Sequence, residues 1–312
     1  MNDKIDGLYQ EAKFLLKGHI LNPFWRERNK RRWIRCYYSH QKIDHYLQKY
    51  KSFVENLQLE DLPELQIRDT SQNKIFSIWF QGEEQAPKLV KVCFDRLRHA
   101  YPDRYIVLDN ETLWERIELP DQIMQKWKDG KIIPANFSDI CRVALLYKYG
   151  GMWFDATDFL TAKVPQWIED SDLFILTTGD RITPHKLIQS CFMHARARHP
   201  LFGALLEFIY EYWSREEKSI DYFLLHFMLR FIVENNKKAH DLFYKMPLIT
   251  HEANHNLWYK YIDAPFSEEL YREATKDTFF QKTTFKSKEA KNPIPGSMAD
   301  YIVNGKIKLV EP

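Results

Sequence analysis

Between residues 74 and 215 the chain alternates two rhythms: short apolar runs, and longer stretches in which apolar residues recur every three or four positions. The runs Lys74 to Phe80, Tyr105 to Leu108, Met152 to Phe154, Leu173 to Thr177 and Ser190 to His194 are too brief for helices and predict strands. The helical spacing predicts helices over Pro87 to about Tyr101, around Glu111 to Arg116 and Asp121 to Lys128, over Ser138 to Gly150, and over Leu201 to Trp213. Pro87 suits a first helical turn, where a missing N–H costs nothing. Strand alternating with helix argues for an α/β fold with a mostly parallel sheet. Before this region, residues 4 to 60 predict a polar-rich helical element broken near Asn22-Pro23, followed by a polar connection with Pro63. After it, a helix from Ser219 to about Asn235 gives way to loops punctuated by Pro247, Pro265, Pro293 and Pro295. The pattern divides the chain into 1–73, 74–215 and 216–312, with no internal repeat.

Residues 138 to 158 concentrate the chemistry. Ser138 is placed to cap a helix, with Asp139 at its positive end. Ile140, Val143, Ala144 and Tyr147 form a buried stripe, and Gly150 stops the helix. Met152-Trp153-Phe154 then reads as a buried strand ending in Asp155 and Asp158, and strand ends are where open α/β sheets bind ligands. Asp139 and Arg142, three apart, share a helix face. On spacing alone they read as a surface ion pair worth about 0.5 kcal/mol, with a sugar- and phosphate-binding pair as the alternative. Asp155 and Asp158 read equally as turn residues or as ligands.

Taken together, S-D-x-x-R, an apolar stretch, L-Y-x-x-G-G and a strand ending in D-x-(T/D) resemble the capsular polysaccharide synthesis glycosyltransferases. These are related to the mannosyltransferase-like and large clostridial toxin-like enzymes of the GT-A fold. Ile78-Trp79-Phe80-Gln81-Gly82 is similar to the first strand of that fold. Asp221-Tyr222-Phe223-Leu224 and Asp277-Thr278-Phe279-Phe280 with Lys282 are similar to C-terminal blocks of the capsular family. The matches run in order from about residue 74 to 290, which is more specific than any one motif.

The resemblance implies a GT-A type, Rossmann-like mixed sheet flanked by helices, with N-terminal and C-terminal helical additions. It implies a nucleotide-sugar-binding core at 74–215 and an acceptor-side region at 216–312. The implied reaction moves a sugar from a nucleotide-sugar, a UDP-sugar, to a capsular or other surface glycan or lipid-linked glycan, with retention. Trp79 would lie beside the base, with Gln81 and Thr157 also among the donor-binding residues. Asp139 and Arg142 would hold the donor sugar, and Lys282 would neutralise the departing diphosphate. Asp155, with Asp139 and Arg142, would form the catalytic set. A divalent metal, Mn²⁺ or Mg²⁺, is implied with Asp155, Asp158 or both as ligands. One departure matters here. The superfamily's second metal-binding aspartate is replaced by Thr157, with Asp158 one residue later. This keeps open a nucleotide-sugar-binding protein without catalysis. A toxin-like protein glycosyltransferase is another alternative.

His251-Glu252-Ala253-Asn254-His255 matches H-E-x-x-H, which on a helix would place two histidines toward zinc and suggest a hydrolase. Asn254 and Asn256 disfavour that helix. A weaker expectation is that His251 or His255 assists at the diphosphate. Lys286 and Lys288 share the spacing of Lys282.

Composition changes the picture little: 312 residues, 45% hydrophobic and 15% aromatic, suffice for a large buried core. A net charge of +2 gives no general attraction to nucleic acid. Locally, Arg26 to Arg35 carries six positive charges and one negative beside Phe24, Trp25 and Trp33. This suits peripheral contact with an anionic membrane, although a solvated helical face has the same composition. Four separated cysteines, Cys36, Cys93, Cys141 and Cys191, suggest neither zinc knuckle nor disulfide framework. With no signal-like N-terminus and no apolar run of spanning length, the expected location is cytoplasmic.

Overall fold

A computed structural model describes residues 41–60, 73–178 and 187–309. The basic stretch 26–35, Cys36 and most of the N-terminal helical element lie outside the described residues. The described residues form seven strands: β1 (Ile75–Ile78), β2 (Tyr105–Leu108), β3 (Gly151–Phe154), β4 (Asp158–Leu160), β5 (Leu173–Thr177), β6 (Ile188–Ala195) and β7 (Phe280–Lys282). Five form a sheet in the order β2-β1-β3-β6-β5, while β4 and β7 form a separate two-stranded sheet.

The sheet is mixed. β1 runs parallel to β2 and β3, whereas β6 is antiparallel to both β3 and β5. The expectation of a mostly parallel sheet fails at the β5–β6 side. No helix is described between those strands, and neighbouring strands without a long crossover pair antiparallel. The mixed α/β sheet flanked by helices is the class that the family resemblance implied, and it is consistent with a GT-A fold.

Three helices cover the sheet near the motif region: α1 (Lys88–Ala100), α2 (Pro134–Tyr149) and α3 (Pro200–Arg215). Alternate β3 residues serve opposite faces. Met152 and Phe154 pack with Val90, Phe94 and Leu97 of α1. Trp153 packs with Ile140, Val143 and Ala144 of α2 and with Leu201 and Leu205 of α3. A strand buried on both faces reads as an unbroken apolar run, which is why Met152-Trp153-Phe154 shows no alternation.

Helix α2 starts four residues before Ser138. Pro134 opens it, its fixed φ suited to a first turn, and Ile133 occupies the capping position without a side-chain bond. Ser138 therefore caps nothing, and Asp139 lies beyond the first turn, where the helix dipole offers little. At the other end two glycines allow β3 to dock. Gly150 and Gly151 have φ of 67° and 90°. A Cβ on Gly150 would lie 2.4 Å from the Ala197 nitrogen, and one on Gly151 would lie 2.0 Å from the Lys74 carbonyl oxygen. That carbonyl accepts the Met152 N–H at 3.0 Å, so the close approach is what seats β3 beside β1.

The flanking regions join the same body. The helical residues 41 to 55 place Tyr50 against the rings of Phe208 and Tyr212, at 5.5 and 5.9 Å. Helix α4 (Leu224–Asn235) begins later than Ser219, and Asn236 at its end donates to the Val54 and Leu57 carbonyls, both at 3.1 Å. No helix among the described residues is long and apolar enough to cross a membrane.

Candidate active site

The chain leaves β1 for β2 on one side and later places β3 on the other, so the direction of winding reverses between β1 and β3. Ligand crevices form at such a switch, outside the carboxyl ends of the strands. A cleft of 660 Å³ opens there. Trp79, Phe80 and Gln81 reach it from the end of β1, and Asp155 from the end of β3. Ser138, Asp139 and Arg142 face it from α2, with Tyr222, Phe223, His226, His255 and Lys282 from the C-terminal third. Its size falls within the ordinary range for small-molecule sites.

The cleft floor is a chain of charges. Arg142 Nη2 lies 3.2 Å from Asp139 Oδ1 and 3.2 Å from Asp155 Oδ1. Its Nη1 donates to the Ser190 carbonyl at 2.5 Å and to Ser190 Oγ at 3.0 Å, and its plane lies 4.8 Å above the Trp153 ring. Trp153 Nε1 donates to Asp155 Oδ1 at 2.9 Å. Lys282 Nζ donates to Asp155 Oδ2 at 2.7 Å and makes an ionic contact with Asp158 Oδ1 at 3.0 Å. Asp139 and Arg142 are 9% and 5% exposed, which excludes the surface ion pair and leaves a buried one. Breaking a buried pair costs about 3–5 kcal/mol, several times the value of a surface one.

Asp158 corrects the picture of two carboxylates at one strand end. It opens β4 rather than trailing β3, and it is completely buried. Its N–H donates to the Asp155 carbonyl at 2.9 Å and its Oδ2 accepts the Asp155 N–H at 3.1 Å. The turn reading and the site reading therefore hold together: the turn's own carboxylate meets Lys282. Thr157 does not line the cleft, and its carbonyl accepts from the Thr283 N–H and hydroxyl at 3.0 and 2.7 Å.

Burial and charge sort the ionisable groups. Burial raises Asp139 from 3.8 to about 7 against the pull of Arg142, and raises Asp158 to about 7 against that of Lys282. Burial also acts on Asp155, but Lys282 and Arg142 outweigh it and hold that carboxyl below its usual range. Burial alone would lower Lys282, yet Asp155 and Asp158 more than reverse this and keep the ammonium protonated. Fixed positive charge on Lys282 and Arg142 thus stands beside a firmly ionised Asp155.

These contacts bear on the implied divalent metal. Both oxygens of Asp155 are engaged by Arg142, Trp153 and Lys282, and Asp158 Oδ2 by the Asp155 N–H, while Asp158 Oδ1, buried without a hydrogen-bond partner, has Lys282 Nζ at 3.0 Å as an ionic contact. A dication at Asp155 and Asp158 would have to displace Lys282 and sit beside Arg142. As arranged, the residues do not fit a metal ion, and among the described residues no group of three or more His, Cys, Asp or Glu side chains is placed to hold one.

The H-E-x-x-H pattern forms no helical zinc face. Glu252–His255 is a single 3₁₀ turn, in which residues four apart do not share a face. His251 is buried, with Nδ1 at 3.1 Å from the Thr177 carbonyl oxygen, and its ring stands edge-on to His255. His255 lines the cleft and His251 does not. Of the three clustered lysines only Lys282 reaches the cleft.

Trp79 lines the wall and contacts Phe285 edge-on, with centroids 5.4 Å apart. Gln81 is exposed at the rim. Sequence reasoning missed Trp153 and Ser190. Trp153 was detectable, because residues two apart on a strand share a side and Asp155 follows two later. Ser190 lies 48 residues from Arg142 with no local signal.

A family profile described as capsular polysaccharide synthesis protein matches residues 24–302. The chain belongs to this family, the one that residues 138 to 158 resemble. None of the curated proteins compared with it matches. Among solved structures, a chain titled PaToxG glycosyltransferase aligns over 85% of this chain and 97% of its own, at 13% identity and a TM-score of 0.36, too low to bear on the fold.

Proposed function

We propose that the cleft binds a UDP-sugar and that the enzyme transfers the sugar, with retention, to a growing capsular or other surface glycan. The observation that carries this reading is the pairing of two fixed cations, Arg142 and Lys282, on Asp155 at the floor of a cleft walled by Trp79. A diphosphate needs positive charge that is already in place, since cations held by the fold stabilise a leaving group without reorganising. In this reading Trp79 contacts the base, with Gln81 at the rim. Asp139 and Arg142 hold the sugar hydroxyls, and Lys282 faces the diphosphate. Asp155 keeps both cations aligned.

Residues 74–215 with Lys282 supply the donor side, and the remainder of 216–312 the acceptor side, where Tyr222 stands 58% exposed at the cleft wall. An exposed aromatic ring at a cleft mouth offers an apolar face to an acceptor sugar. The basic stretch 26–35 supports docking at an anionic membrane carrying a lipid-linked acceptor, on composition alone.

The test is a thermal-shift and calorimetric screen of nucleotide-sugars, followed by chromatography of released nucleotide. Stabilisation by UDP and one UDP-sugar, with slow release of UDP, is expected. A protein that binds no nucleotide would end this reading, and one that binds UDP-sugars but never turns them over with any acceptor would be a binding subunit.

A further inference from the structure

The lysine between the two aspartates accounts for the misfit with a metal ion. We infer that Lys282 is the chain's own replacement for a divalent cation, so that the site binds and releases a nucleoside diphosphate without a metal. The inference rests on the donor-binding role proposed above.

Backbone pairing fixes the lysine in place. Asp158 and Lys282 are direct cross-strand partners in the β4–β7 ladder, so the ammonium is aimed at the carboxylates by register rather than by a free side chain. The neighbouring residues lock that register. Gln281 is fully buried, accepts the Leu257 N–H at 2.8 Å and donates to the Ala253 carbonyl at 2.8 Å. Thr283 donates twice to the Thr157 carbonyl. Thr157 therefore uses its backbone to hold the strand carrying Lys282. An ammonium has three N–H donors; Asp155 Oδ2 accepts one, and Asp158 Oδ1 lies 3.0 Å away as an ionic contact. The side chain is 20% exposed and lines the cleft, which leaves its remaining donor for a phosphate oxygen.

In the transfer, the bond between the anomeric carbon and the diphosphate oxygen breaks with its electron pair on that oxygen. A bond forms from the anomeric carbon to the acceptor oxygen, and the acceptor's proton ends on the released diphosphate. Lys282 and Arg142 meet the charge that develops on the diphosphate, the work a metal performs as a Lewis acid elsewhere.

The test uses UDP and Mn²⁺ as probes and needs no turnover. Calorimetry should give UDP affinities within about threefold in EDTA and in millimolar Mn²⁺. Electron paramagnetic resonance of free Mn²⁺ should show no ion bound by the wild type beyond that held by UDP itself. Lys282→Ala should gain one Mn²⁺ per chain, and Asp155→Asn in that background should abolish it. Lys282→Gln, which retains most of the side-chain volume, should bind UDP at least tenfold more weakly in EDTA. A wild type that holds one Mn²⁺ lost in Asp155→Asn would overturn the inference, as would a tenfold loss of UDP affinity in EDTA or a folded Lys282→Ala that gains no ion. Failure to bind UDP in either buffer would instead defeat the donor-binding reading, while the Mn²⁺ titrations still decide what occupies the space between the carboxylates.

Discussion

Two buried arginines, Arg96 and Arg142, are 7% and 5% exposed, and the molecule uses them for opposite ends. Arg96 lies over the Phe159 ring and donates to the Leu160 and Ile307 carbonyls at 2.6 and 2.5 Å. Burial holds its pKa below the usual range, and it does not line the cleft. Arg142 lies over the Trp153 ring and also donates to a carbonyl, that of Ser190, but it carries Asp139 and Asp155 as counterions. Burial would lower its pKa too, yet Asp155 and Asp139 more than reverse this. An arginine held by backbone dipoles ties segments together. An arginine held by an ionised carboxylate, here Asp155, at a cleft wall keeps its charge fixed where a ligand anion can meet it.

The largest expected effect tests the charged end of this contrast. Asp155→Asn should reduce UDP-sugar turnover by about 10²–10³-fold, the usual scale for losing one electrostatic element of a catalytic site. Its melting temperature should fall as well, because Arg142 and Lys282 lose a shared counterion, so turnover is compared per folded molecule. Asp158→Asn distinguishes the roles of the two carboxylates, with a milder loss expected because Asp158 is wholly buried behind Lys282. Full turnover by Asp155→Asn would remove the β3 terminus from the active site.

The arginines themselves come next. Arg142→Lys keeps the charge but loses the planar fork that spans Asp139, Asp155 and Ser190, and should lower kcat/KM by about 10–100-fold with UDP affinity nearly intact. Arg96→Met should do the reverse. Two buried carbonyls lose their donor, which costs about 2–4 kcal/mol in urea unfolding, with turnover per folded molecule unchanged. If Arg142→Lys lost only stability, the two arginines would be structural alike.

Trp79→Ala should weaken UDP about five- to tenfold, equivalent to about 1–1.4 kcal/mol, with Trp79→Phe intermediate. Calorimetry with UDP and with inorganic diphosphate separates base contact from charge, since only the former should respond.

The smallest effect is one of pH. Asp139 and Asp158 are raised from 3.8 to about 7, so the stability they contribute is complete below about pH 4 and disappears as pH rises through 7. The double variant Asp139→Asn/Asp158→Asn lacks this loss. Its melting temperature relative to wild type should therefore climb between pH 5 and 8.5, by about 3 °C for each kcal/mol. A flat difference would show that neither carboxyl titrates in that window.

Much of the molecule was legible from order along the chain. The helix at 138 to 149, the glycine pair and the strand at 152 to 154 follow from periodicity and from the one residue type that tolerates such close backbone approach. The helix start was misread because Ser138 matched a capping preference, whereas Pro134 fixes the first turn by its own ring. Asp139 and Arg142 were correctly placed on one helix face, but spacing carries no information about what covers that face. Only packing against β3 and β6 turned a surface pair into a buried one.

By itself, then, the sequence determined the α/β alternation, the strand-end position of Asp155 and the family, because each rests on residues near one another in the chain. The tertiary structure decided the mixed sheet, the burial of Asp158 and the position of Lys282, which pairs with Asp155 across 127 residues. That pairing depends on β4 and β7 finding one register, and strand register is set by what both strands bury against the rest of the molecule.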